Sequence, residues 1–320
     1  MQKLITLCAL CIIVYSCNNK TTTADIKGTD TAAVAKPEPV AKSSEIDGLW
    51  TGIFGSSPAD TILQKKAAAF ADAYYKKMNT GDEDGEGEEI TDIKLIPAEL
   101  RPAYYMEPLN GYYTLRGPNK ISVIINGIDE AGELTGTSVC AGNERPLKGT
   151  YTKAGSEFRA DLKEPGDDKN DGVFHLNFSP ASGKVTGSWT SLTGNTKACE
   201  LEKKEFKYDP EVGSIAGFRP KNSKEGYLEF KKNPSTDLLK TTDVENLSKP
   251  ELTILRNLIY ARHGYTFASA SFRNYFENQE WYIPYRKDIR TDLTEREKLN
   301  AEKLKSFEKY ASAAYDEFGR

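Results

Sequence analysis

The chain has 320 residues and, with 43 Lys and Arg against 47 Asp and Glu, a formal net charge of -4. That balance, with both signs mixed toward the C-terminus and no basic stripe, argues against a nucleic-acid partner. Two histidines and no Cys-x-x-Cys spacing argue against zinc, and no cofactor or other metal is implied.

The first elements concern export. Met1-Gln2-Lys3 is a short positive start, and Leu4 to Val14 is an apolar run too short to span a bilayer as a stable helix. It ends at Val14-Tyr15-Ser16-Cys17, which resembles the lipobox of bacterial lipoproteins, with Ser16 as the small residue before the cleavage point. Residues 1–17 are therefore expected to be a lipoprotein signal peptide with Cys17 lipidated. Residues 18–45, rich in Thr, Ala, Lys and Pro, are expected to be a flexible tether. Asn18 follows Cys17, so no acidic retention residue is present at that place, and outer-membrane attachment is expected, with neither face indicated.

Residues 46–210 are expected to form an all-β domain. Gly48-Leu49-Trp50-Thr51-Gly52 opens a strand, and Ser57-Pro58-Ala59-Asp60 caps an inserted helix with Leu63, Ala67, Phe70 and Tyr74 on its apolar side. An acidic run from Gly81 to Glu89 reads as a solvated loop. From Gly111 the period changes to two, giving strands at 112–116, 120–126, 133–140, 145–151, 157–162, 172–178, 183–190 and 198–206. Close turns such as Lys153-Ala154-Gly155 separate them. An antiparallel meander closing as a barrel or sandwich follows. Phe174, Leu176 and Phe178 alternate with His175 and Asn177, which places His175 on the wet face. Cys140 and Cys199 are the two cysteines outside the export segment, and in an exported chain they are expected to form a disulfide.

Chemistry is sparse along this stretch. Asp82-x-Asp84-x-Glu86-Gly87 is superficially like a calcium loop, but Ile93 stands where the bidentate Glu belongs. Asp167-Asp168-Lys169-Asn170-Asp171-Gly172 puts Lys169 at a ligand position and reads as a hairpin turn. No Gly-x-Ser-x-Gly or His-Glu-x-x-His occurs, so a non-catalytic protein is expected.

After a linker over 211–244, residues 245–320 are expected to form a small all-α domain. Ser248-Lys249-Pro250-Glu251 is a capping box, followed by Leu252, Leu255, Leu258 and Ile259 at helical spacing. Tyr260-Ala261-Arg262-His263-Gly264 ends that helix, with positive charge in the last turn and glycine at the left-handed position. A short helix over 269–277 is predicted to bury Phe272, Tyr275 and Phe276. Pro284 keeps Trp281 to Tyr285 extended. Thr294-Glu295-Arg296-Glu297 opens a final helix to about Tyr310, with Leu299, Leu304, Phe307 and Tyr310 as its apolar side.

This order resembles the YARHG domain of bacterial extracytoplasmic proteins. The matching features are Leu247, Ser248, Glu251 and Leu252, the Tyr260–Gly264 signature, the Tyr275-Phe276 and Trp281-Tyr282 pairs with Pro284, and Leu293, Thr294 and Glu297. The resemblance implies a small helical module on secreted or envelope-anchored chains and brings no catalytic residues with it. For ligand binding, the aromatic faces and guanidinium forks of Tyr260, Arg262, His263, Tyr265, Arg273, Trp281, Tyr282 and Arg286 suit sugars, carboxylates or peptide termini. The competing demand is the core, which in a small domain takes most large residues. The expectation is a lipid-anchored envelope protein binding peptidoglycan or another glycan. The alternatives are a role on an envelope protein, as assembly factor or inhibitor of a wall-degrading enzyme, and an envelope hydrolase.

Overall fold

The computed structural model describes residues 45–55, 57–78, 89–109, 111–129, 131–213 and 232–311. The export segment with Cys17, the tether to residue 44, acidic residues 81–88 and linker residues 214–231 lie outside them. Among the described residues no helix is long and apolar enough to cross a membrane.

Eight antiparallel strands close into a barrel. They are β1 (Gly48–Phe54), β4 (Asn119–Ile128), β5 (Glu133–Cys140), β6 (Asn143–Ala154), β7 (Glu157–Lys163), β8 (Gly172–Ser179), β9 (Lys184–Ser191) and β10 (Thr196–Lys204). From β4 to β10 each strand pairs with the next, and β1 closes the wall between β10 and β4. Alternation explains the filling. Trp50, Ile121, Val123, Leu134, Leu147, Leu162, Phe174, Leu176 and Phe178 face inward and are buried, so the barrel is a packed core rather than a channel. Trp50 is fully enclosed, donates Nε1–H to the Ile46 carbonyl at 2.8 Å and packs edge-on against Phe178. His175 faces out, within 2.6 Å of Asp161.

Between β1 and β4 the chain makes α1 (Pro58–Met78) and a two-stranded sheet of β2 (Tyr104–Met106) and β3 (Tyr113–Leu115). The predicted strand at 112–116 thus exists but leaves the barrel, because its partner is β2, a strand too short for periodicity to reveal. Leu63, Ala67, Phe70 and Tyr74 pack on Ile90, Ile96, Leu100 and Tyr104, whose hydroxyl donates to the Ala67 carbonyl at 2.7 Å.

The helical domain holds α2 (Thr241–Val244), α3 (Lys249–Arg262), α4 (Ala270–Glu277) and α5 (Glu295–Glu308). Both predicted capping boxes are present at the starts of α3 and α5. Leu239, Val244, Leu252, Leu255, Ile259, Ala301 and Leu304 form one core cluster, so the segment read as linker contributes core residues before position 245. Phe267, Phe276 and Tyr282 form another.

Two expectations are corrected. Cys140 and Cys199 are free thiols. They sit on β5 and β10, with β4 and β1 between them in the wall, so they do not lie on neighbouring strands. Leu299 on α5 and Tyr310 just past its end are exposed, at 55% and 85%, while Glu297, Asn300, Ala301 and Leu304 are buried. The inward face of this helix is half polar, which a search for apolar spacing misreads.

Candidate functional site

The Tyr260–Gly264 signature works as a clasp. The segment leaving β10 runs back over the end of α3, and Arg262, His263 and Gly264 of the signature meet it. Arg262, 4% exposed, donates Nε–H to the Val212 carbonyl at 2.8 Å and an Nη1 hydrogen to Asn233 Oδ1 at 2.6 Å and Ser235 Oγ at 3.0 Å. The fork geometry of guanidinium suits these separate acceptors. His263 caps α3 and stacks on Tyr208 with ring centres 4.2 Å apart. Its Nε2 lies 2.9 Å from Glu297 Oε2, and the Tyr208 hydroxyl donates to Glu297 Oε1 at 2.9 Å. Glu297 also accepts the Thr294 amide and hydroxyl of its own capping box. Burial pushes this carboxyl up, but the bonds from His263 and the Thr294 amide outweigh that and hold it at about 2. An ionised carboxylate only accepts, so His263 carries its proton on Nε2. Tyr208 is pushed up to about 12 by burial and then by Glu297.

Gly264 completes the clasp at φ +71°, with its carbonyl accepting the amides of Tyr285 and Arg286. A Cβ there would stand 2.6 Å from Tyr285 Cβ and 2.8 Å from the Phe206 ring. These two rings stack 4.4 Å apart in the space the missing side chain leaves.

The remaining candidates divide by position. Tyr282 is 1% exposed and donates its hydroxyl to the Tyr265 carbonyl at 2.7 Å. Trp281 packs against Phe276 and covers Gly213. Arg273 donates to the Ala268 carbonyl, and Arg286 pairs with Asp292 at 2.8 Å over the Tyr285 ring. His263, a ligand candidate in the sequence, is 5% exposed. Of the eight, Tyr260 and Tyr265 line an open cleft of about 840 Å³ between the helical domain and the β5–β6 edge of the barrel.

That cleft adds residues the sequence reading did not select. Arg256, Lys287, Arg290, Ile289 and Leu293 come from the helical side, and Thr137, Glu144 and Pro146 from the barrel. Arg256 lies one turn before Tyr260, with its guanidinium 5.8 Å from the Tyr260 ring, and i,i+4 spacing could have found it. The barrel residues carry no such signal, because only docking of the domains brings them there. The docking is polar: Glu144 accepts the Lys287 amide at 2.7 Å, Thr266 Oγ1 accepts the Gly142 amide at 3.0 Å, and Lys120 Nζ donates to the Gln279 and Tyr282 carbonyls. At the same interface Glu277 accepts the Lys120 amide, and burial pushes its carboxyl up to about 8.

Among the described residues, no three or more His, Cys, Asp or Glu side chains are grouped to hold a metal ion. No curated protein and no solved structure matches the chain. The YARHG-domain family matches residues 230–309, and the helical region clasped onto this barrel is a YARHG domain.

Proposed function

We propose that the protein is a non-catalytic binder of a cell-envelope glycan, with peptidoglycan the favoured ligand, and that the cleft beside the signature is where it binds. One observation carries the reading. Tyr260 and Tyr265, the signature-region aromatics left half-buried, line a cleft whose helical side also supplies Arg256, Lys287 and Arg290. Aromatic rings offer sugar rings a flat apolar surface, and Lys287 beside them suits a glycan bearing a carboxylate, whereas Arg256 is held by Glu308 and Arg290 by Asp288. The cleft volume falls within the range of small-molecule sites. The compartment belongs to the same proposal: Leu4 to Val14 and Cys17 support export and a lipid anchor in the outer membrane, which would bring the cleft within reach of the wall.

The test is co-sedimentation of residues 45–320 with purified peptidoglycan. The native chain is expected in the pellet, and Tyr265→Ala and the double variant Lys287→Ala, Arg290→Ala are expected in the supernatant with folded circular-dichroism spectra. Equal sedimentation of native chain and folded variants would remove the cleft from the proposal, and no sedimentation at all would remove the ligand.

A further inference from the structure

The two ends of the barrel are built differently. At one end the inward positions are Trp50, Leu134, Tyr151, Phe158, Phe178 and Val185, an apolar plug closed by Ile46, with Lys153 and Lys203 at its rim lying over the Phe158 and Trp50 rings. At the other end the same inward register holds Asn119 on β4, Ser138 on β5, Arg145 on β6, Glu164 at the end of the β7–β8 ladder, and Lys197 on β10. The two lysines at the first end are exposed, whereas Asn119, Ser138, Arg145, Glu164 and Lys197 are buried or half-buried, a difference that solvation of the rim does not account for. Inward polar groups cost free energy unless something satisfies them.

These residues surround a cavity of about 400 Å³ floored by Phe54, Phe174 and Trp189. Its wall is pre-set. Glu164 accepts from Ser138 Oγ and the Gly172 amide, both at 2.8 Å, and from Trp189 Nε1 at 3.1 Å. Arg145 is fixed by Asp171 at 2.5 Å and by Asp167. Asp171 in turn takes the Gly166 amide at 2.9 Å, holding the β7–β8 loop over the opening. Arg145 Nε, though buried, has no hydrogen-bond partner, and such a donor is normally satisfied.

We propose that this end of the barrel is a second binding site, for an uncharged, hydroxyl-bearing molecule the size of a small sugar. Charge selects the class. A carboxylate entering the cup meets Glu164, Asp168 and Asp171, and a cation meets Arg145, Lys169 and Lys197. Hydroxyl groups both donate and accept, so they match Asn119, Asn143 and the orphaned Arg145 donor together, while the aromatic floor takes an apolar ring face. The site is separate from the inter-domain cleft and shares no lining residue with it.

The experiment is titration of the full chain, held in a detergent without a sugar headgroup, with glucose and with N-acetylglucosamine, followed by tryptophan emission and calorimetry. Saturable binding of either sugar is expected, with the emission change lost in Trp189→Phe. Asn119→Ala, Asn143→Ala and Lys197→Met should each weaken the binding read at Trp189 about ten-fold, as the loss of one hydrogen bond to an enclosed ligand does. Acetate is the charged comparator and should not compete. Absence of saturable sugar binding at millimolar concentration overturns the proposal, as does binding that acetate displaces or that the three rim variants leave intact. Because the readout is Trp189 and the rim variants lie outside the cleft, this failure is distinct from loss of peptidoglycan binding.

Discussion

The barrel and the helical domain solve the same problem with different materials. The barrel has a continuous wall of backbone hydrogen bonds and fills its interior with side chains such as Trp50, Phe174 and Phe178. The helical domain splits its apolar core into two clusters and sets buried polar groups around them. Asn300, fully buried, accepts the Leu239 amide and donates to the Pro234 and Asp237 carbonyls. Glu251, Arg262, His263 and Glu297 are buried as well. A small domain of short helices has many chain ends and crossings whose backbone groups lack helical partners. Side chains that reach several such groups at once supply what a sheet supplies through its ladder.

The sharpest way to break this comparison is to remove one side chain from each region. Trp50→Ala should cost the barrel about 3–5 kcal/mol, the range for truncating a buried aromatic. Glu297→Ala should cost the helical domain a similar ~3–5 kcal/mol, because it strands His263 and the Tyr208 hydroxyl without their buried acceptor. Chemical denaturation followed by near-UV circular dichroism reads both. A Glu297→Ala loss below about 1 kcal/mol, the scale of an exposed pair, would show that the helical core rests on its apolar clusters alone.

The pH dependence of stability sharpens the comparison next, since the groups responsible lie in the helical domain and at its docking face. Glu297 is held at about 2 against an ordinary value of 4.5, so its contribution is complete above 4.5 and is lost as the pH falls toward 2. Glu277 runs the other way. Its value is raised to about 8, so the folded state keeps a proton that the unfolded state releases, and stability falls as pH rises from 4.5 to about 8. Glu277→Gln is expected to flatten the upper window in thermal melts and leave the lower one in place. An unchanged slope above pH 5 would show that the docking face hydrates Glu277.

The smallest effect belongs to the exposed pair. Arg286→Ala breaks a contact with Asp292 whose partners are each about one-third exposed, and it should shift stability by under about 1 kcal/mol. A larger loss in melting experiments would make Arg286 part of the clasp rather than its edge.

Much of the scaffold was readable because it rests on local rules. Period-two alternation located all seven strands of the β4–β10 meander, since burial on one face repeats every second residue. The Ser248–Glu251 and Thr294–Glu297 boxes marked two helix starts because capping is settled within one turn. The site was less readable. The signature looked like a terminus with ligand potential, whereas Arg262 and His263 spend their donors on Val212, Asn233, Ser235 and Glu297. The predicted Cys140–Cys199 bridge failed on strand order, which cysteine count does not contain.

By itself, then, the sequence located the barrel strands and helices α1, α3, α4 and α5, and it determined which strand faces turn inward and that residues near Tyr260 belong to a YARHG domain. Closure of the wall through β1, the departure of β3 from it, and the inward polar ring at one barrel end were decided by tertiary structure. So was the meeting of Glu144 and Pro146 with Tyr260 and Tyr265 in one cleft. The reason is distance along the chain. Periodicity and capping act within a few residues, while the clasp and both cavities depend on groups brought together from far apart.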